Sequence, residues 1–234
     1  MFLTSRITHC AQSAGGSRKV ILFLAANPVS ASRIACDLEC AAIERELRMT
    51  DGRDEWEVRS KWAVTADEMM RHFNEACPMV IHFSGHGDDG TAGQSSISHR
   101  NVQMVGGGGI YVQDEQGSPQ IVTARALRMM IKAAAASARV VVLNACYSSA
   151  HAKELCTVVD CVIGMTGAIR DDAARSFAVG FYRALGNRRS ISNAVEQAVA
   201  TLAAKQLPHE HLPRCRTRKG VNAKQLLLHE RTRA

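Results

Sequence analysis

The chain has 234 residues, 46% of them hydrophobic, a mean hydropathy of −0.10 and a formal net charge of +7. That length suits one large α/β domain or two small ones. No apolar run approaches the ~20 residues that span a bilayer, so a membrane protein is not expected. Residues 1–18 contain Arg6 and Arg18 and no acid, and read as a disordered tail rather than a targeting segment. Residues 19–234 read as one domain, with no internal repeat or domain-sized linker. Residues 19–25 form a compact β-type run closed by the Asn27-Pro28 turn signal. A helix is expected from about Ser32, as its cap, to Met49, with Ile34, Leu38, Ala42, Ile43 and Leu47 as its apolar stripe. Residues 55–63 alternate, with Trp56, Val58, Ser60 and Trp62 on one face of a strand. Thr65 and Asp67 open a short helix that runs through Met69, Met70 and Phe73 to Ala76. A buried strand follows over 79–83.

Residues 88–109 are rich in Gly, Ser, Asp and Thr and read as a mobile loop leading into a hairpin, 110–113 with 120–122. Thr123 caps a helix through Leu127 to about Ser137. The apolar run 140–145 is a second buried strand, followed by a helix over about 149–158 and a strand over 162–165. Two helices, 171–185 and 191–204, are split by Gly186-Asn187, and a short last strand is expected at 225–228. Strands alternating with helices predict one mostly parallel sheet covered on both faces.

Two of these strands end in reactive side chains. Ser84-Gly85-His86-Gly87 follows the first buried strand, and Cys146-Tyr147-Ser148 follows the second. In a parallel α/β sheet, residues just past the carboxyl ends of neighbouring strands meet in one crevice. A histidine and a cysteine delivered there supply a base and a thiol nucleophile. Gly85 and Gly87 leave no side chain to block a substrate, and the Gly87 amide is placed to donate to an oxyanion. A lone His-Gly is otherwise an ordinary loop feature, and a lone strand cysteine is usually a small buried hydrophobe. At a strand-to-helix junction, however, helix amides are expected to lower the Cys146 thiol pKa. His82, inside the buried run, reads as a packed supporting histidine.

The two stretches His82-Phe83-Ser84-Gly85-His86-Gly87 and Leu143-Asn144-Ala145-Cys146-Tyr147-Ser148 resemble the catalytic boxes of the CHAT family of caspase-like cysteine peptidases. Further stretches fit as well: Phe23-Leu24-Ala25-Ala26-Asn27-Pro28, Val162-Ile163-Gly164-Met165 and Phe177-Ala178-Val179-Gly180-Phe181-Tyr182. The resemblance covers about residues 19–205. It implies a caspase-haemoglobinase-like three-layer α/β sandwich, with His86 as base, Cys146 as nucleophile, and the Gly87 and Cys146 backbone amides as oxyanion hole. Separase-like members favour arginine before the cut and hold it with an acid after the strand that follows the cysteine helix. The corresponding segment here makes Asp171 or Asp172 the S1 candidate, unless both simply cap their helix. Asp88 and Asp89, beside His86, are a second acidic candidate, and no third triad acid is evident.

The resemblance implies no cofactor and no metal, and the cysteines and histidines lack paired metal-ligand spacing. Gly106–Gly109 is followed by a strand and no Lys-Ser/Thr, so it is no phosphate loop. The eight cysteines lie inside helix and strand patterns and no secretory signal is present, which points to a reducing cytoplasm. The basic run Arg214–Lys219 has no aromatic residue to stack bases and reads as a solvated loop, so nucleic acid is not an expected partner. The family context implies a cysteine endopeptidase serving bacterial defence or signalling. Its substrate would be a protein, such as a pore-forming effector encoded nearby, and its activator a separate sensor protein. Loop 88–109 is the candidate for ordering on activation. The alternative is a catalytically silent module that keeps the fold for recruitment.

Overall fold

A computed structural model describes residues 18–29, 31–90 and 108–229. The proposed N-terminal tail and most of loop 88–109 lie outside them. The first strand, β1 (Lys19–Ala25), is followed by α1 (Cys36–Arg48), β2 (Trp56–Lys61), α2 (Ala66–Ala76) and β3 (Val80–Ser84). A small antiparallel sheet of β4 (Gly87–Asp88), β5 (Gly109–Gln113) and β6 (Pro119–Thr123) comes next. Then come α3 (Ala124–Ala134), β7 (Val140–Asn144), α4 (Ala152–Leu155), β8 (Cys161–Met165), α5 (Asp171–Gly186), α6 (Ile191–Ala204) and β9 (Pro213–Thr217).

The main sheet has the order β2-β1-β3-β7-β8-β9, parallel except for β9. Its strands are apolar on both faces because helices cover both. Ile21, Phe23, Val80, Val140 and Val142 face α1, α5 and α6. Leu22, Ile81, Phe83, Val141 and Leu143 face α2, α3 and α4. This is the three-layer, mostly parallel architecture that the alternating pattern predicts. No helix of the described residues is long and apolar enough to cross a membrane.

Local signals worked where they were local. Thr65 caps α2 with a full capping box to Glu68, and the Thr123 side chain accepts from the Ala126 amide at the start of α3.

Four expectations are corrected. Helix α1 begins at Cys36, not Ser32, because the Asn27 side chain pins the preceding loop through both the N–H and the C=O of Ile34. Ala42, Ile43 and Leu47 of the expected stripe are buried, but the buried face of α1 also takes in polar side chains. Leu38 is 53% exposed, whereas Glu39 and Glu46 are buried, each satisfied by partners from elsewhere in the chain. The expected strand at 225–228 does not form: Leu226 and Leu228 pack into the core, and the Leu226 carbonyl accepts from the Ile191 amide. Instead the basic run, read as a loop, supplies β9. An edge strand pairs on one side only, so its arginines reach solvent without leaving the sheet.

Candidate active site

Strand order reverses at β1, which lies between β2 and β3, and the crevice of such a sheet opens beyond the strand ends near that point. Parallel pairing sets Ser84 beside Asn144. His86 and Cys146, each two residues further on, therefore leave the sheet at the same level. The two backbones also touch at the next step. A Cβ on Gly87 would collide with the Cys146 carbonyl oxygen, so only glycine allows this approach.

The turn after Cys146 is not the expected helix. Tyr147 adopts a left-handed conformation (φ 55°, ψ 13°), which costs a non-glycine residue about 1–2 kcal/mol. A 3-10 turn over Ser148–His151 and the four-residue α4 follow. Neighbouring groups hold the turn in place. The Tyr147 amide donates to the Gly167 carbonyl at 3.2 Å. The Ser148 hydroxyl contacts the Leu143 and Ala145 carbonyls at 2.8 and 2.7 Å and accepts from the Met165 amide at 3.0 Å.

His86 is 3% exposed, and its Nε2–H donates to the Ser32 carbonyl at 2.9 Å. That bond leaves Nδ1 as the basic nitrogen. Burial pushes the imidazole pKa down, opposed by the Ser32 hydrogen bond and the Asp171 charge. The half-buried Cys146 thiol lies 3.9 Å from the Ile169 carbonyl oxygen. Burial pushes its pKa up; backbone contact with Ile169 opposes the shift and the Asp171 carboxylate adds to it. This corrects the expectation of a thiol acidified by helix amides, because no regular helix starts at Cys146. Burial thus favours the uncharged form of both the imidazole and the thiol. Such a pair reacts by general-base transfer of the thiol proton as attack proceeds.

Beside the thiol is a narrow cleft, walled by Ile34, Ala35, Ile169 and Ala174 and reaching Glu39, Ser84, Asn144 and Asp171. Asp171, the first residue of α5, also accepts from the Ala35 amide at 3.4 Å. Asp172 does not line this cleft. It pairs with Arg170 at 2.7 Å and accepts from the Ala173 amide. Asp88, the last residue of β4, is fully buried and accepts from the Gly90 amide at 2.6 Å and the Tyr111 hydroxyl at 3.1 Å. A larger hollow lies elsewhere, between the start of α2 and the β5–β6 turn, and has no cysteine or histidine in its lining.

Two groups escape a reading of the sequence. One is the Ser32 carbonyl, which orients His86 through its backbone and so leaves no trace in residue identity. The other is Glu39, 3% exposed, whose carboxylate accepts from His82 Nε2 at 2.7 Å, Ser84 Oγ at 2.7 Å and Asn144 Nδ2 at 2.6 Å. His82 also meets the Tyr182 hydroxyl at 3.0 Å and stacks on Phe23. The only advance signal was the set of polar residues, His82, Ser84 and Asn144, at alternate positions of two otherwise apolar strands.

The CHAT domain model matches residues 1–218. The chain belongs to the CHAT-domain family. A curated relative, a Roc-COR-CHAT protease from an unknown prokaryotic organism, is 24% identical over 199 residues. The match takes in 82% of this CHAT chain but 17% of the relative, so the chain spans about a sixth of that protein's length. Among solved structures, a secreted C11 cysteine protease from Bacteroides thetaiotaomicron, in complex with an irreversible peptide inhibitor, superposes with a TM-score of 0.58. That alignment covers 82% of the CHAT chain and 60% of the other at 16% identity, and shows a shared caspase-like fold. The named relative is a protease and the structural neighbour a cysteine protease.

Proposed function

We propose that this CHAT domain is a cysteine endopeptidase that cuts a partner protein after a basic residue, arginine above all. The observation that carries the reading is the cleft beside the Cys146 thiol. It is lined by two carboxylates, Glu39 and Asp171, and by no basic side chain, while His86 ends the adjacent strand at the same level.

In the proposed reaction the Cys146 sulfur attacks the scissile carbonyl carbon as its proton passes to His86 Nδ1. The Gly87 and Cys146 amides receive the oxyanion. The C–N bond then breaks, His86 protonates the departing amine, and a thioester remains on Cys146. Water, deprotonated by His86, releases the acid and restores the thiol. A separate sensor or activator, a bacterial defence or signalling setting, and a pore-forming protein as substrate complete the proposal.

The test is covalent labelling by an arginyl acyloxymethyl ketone, compared in the unaltered chain, Cys146→Ala and His86→Ala. An adduct on Cys146, lost in both variants, supports nucleophile, base and basic preference together. Labelling by a leucyl or aspartyl probe instead keeps the peptidase and removes the basic pocket. No adduct with any probe, activator candidates included, leaves the silent recruitment module.

A further inference from the structure

Cys161 and Cys215 touch each other at the opposite end of β8 from the Cys146 turn. Their sulfurs lie 3.2 Å apart, and both are free thiols. Cys161 is the first residue of β8 and is fully buried. Cys215 is the middle residue of β9, an edge strand that pairs with β8 alone, and is exposed. In the antiparallel register Cys215 stands opposite Ile163, and Cys161 opposite Thr217. The two thiols are therefore diagonal neighbours on one face of the sheet.

A disulfide bond is ~2.05 Å long and needs backbones held close with converging side chains. Paired strands whose sulfurs are already in contact meet that need with a further approach of about 1 Å. The two sulfurs also differ in reactivity. Contact with Cys161 draws the Cys215 pKa down, against the effect of burial, while the same contact and burial push Cys161 up. Exchange starts at an accessible thiolate, so Cys215 is the attacking sulfur and Cys161 the resolving one. The third nearby thiol, Cys156, belongs to the core on the other face of the sheet, with Leu155 and Val162, and its sulfur lies 3.2 Å from the Arg216 carbonyl oxygen.

We propose that Cys161 and Cys215 are a reversible disulfide site, oxidised by exchange with a small disulfide of the glutathione type, and that the bond fastens β9 to β8. The site is independent of the peptidase reading. In the first step Cys215 gives its proton to solvent and its sulfur attacks one sulfur of glutathione disulfide. That S–S bond breaks, and one glutathione leaves and takes up a proton. The Cys161 sulfur then attacks the Cys215 sulfur of the mixed disulfide, its proton passing to the second departing glutathione. Two protein thiols are oxidised to one disulfide, and one glutathione disulfide is reduced to two thiols. The bond joins residues 54 apart, across α5 and α6, and so limits the freedom of that stretch in the unfolded chain. It also secures the chain just after Leu212, whose carbonyl accepts from the Thr166 amide at 2.9 Å and the Thr166 hydroxyl at 3.2 Å. Thr166 adjoins Gly167, the residue whose carbonyl holds Tyr147.

The experiment equilibrates the full chain in buffers of varied reduced and oxidised glutathione, blocks the remaining thiols with N-ethylmaleimide and maps the peptides by mass. The same is done for Cys215→Ser and Cys161→Ala, and melting is recorded with and without dithiothreitol. The unaltered chain is expected to yield a linked Cys161–Cys215 peptide that dithiothreitol removes. Its oxidised form should melt about 5–10 °C above the reduced form. Cys161→Ala should stop at a glutathione adduct on Cys215, and Cys215→Ser should leave Cys161 unmodified. Should either variant fold poorly, mapping of the unaltered chain still decides the matter. A chain that stops at the mixed disulfide on Cys215, links either sulfur to Cys156 instead, or leaves both thiols reduced in glutathione disulfide alone overturns the site. A Cys161–Cys215 bond that forms without raising the melting temperature overturns the fastening of β9.

Discussion

The two faces of the main sheet solve different problems with the same strands. Toward α2, α3 and α4, β3 and β7 present Ile81, Phe83, Val141 and Leu143, and every one of these is apolar. Toward α1, α5 and α6 the same strands begin with Val80, Val140 and Val142 and then turn polar: His82, Ser84 and Asn144, closed over by Glu39 and Tyr182. Apolar contact is non-directional and scales with buried area, so the first face contributes stability without fixing any atom closely. Hydrogen bonds are directional, so the second face fixes the heights and orientations of two strand ends. His86 and Cys146 begin two residues beyond that polar layer.

The largest effects should come from the residues beyond the polar layer. Cys146→Ala should abolish the active-site adduct, and His86→Ala should slow its formation by about 10²–10⁴-fold, the usual worth of a general base. Peptide mapping after labelling checks both. On the apolar face, Phe73→Ala removes a fully buried ring from α2. It should lower unfolding free energy by about 3–5 kcal/mol in urea denaturation, with the labelling rate per folded molecule unchanged. A matching loss of labelling would show that the faces are not separable.

Gly87→Ala tests the junction itself. Its Cβ meets the Cys146 carbonyl, so one backbone must move. A displacement near 1 Å should slow labelling by about 10²-fold while melting temperature shifts little.

The smallest effect is electrostatic. The reaction needs uncharged imidazole, so alkylation of Cys146 by iodoacetamide should fall as pH drops through the His86 pKa, already pushed below 6.5 by burial. The Asp171 charge raises that pKa, so Asp171→Asn should move the acid limb lower still. An upward move would contradict the placement of Asp171 near His86.

Much of the fold was legible because its signals were local. Central strands declare themselves as short apolar runs, since helices bury both their faces, and Thr65 and Thr123 mark helix starts through bonds spanning three residues. The positions of His86 and Cys146 at strand ends were legible for the same reason. The polar part of the α1 buried face was not. Leu38 reads as core but is exposed, and Glu39, outside the expected stripe, is inside because its three donors come from β3 and β7, 43 to 105 residues away. Nor was β9, whose arginines read as loop until an open sheet edge was available to pair with them.

By itself, then, the sequence determined which strands exist and which reactive side chain follows each, because run length, periodicity and capping act over a few residues. Only the tertiary structure decided which imidazole nitrogen of His86 meets the Ser32 carbonyl, and which aspartate and which glutamate line the thiol's cleft. Each of those is a distance and an angle between groups far apart in the chain, and hydrogen bonds and charges depend steeply on both.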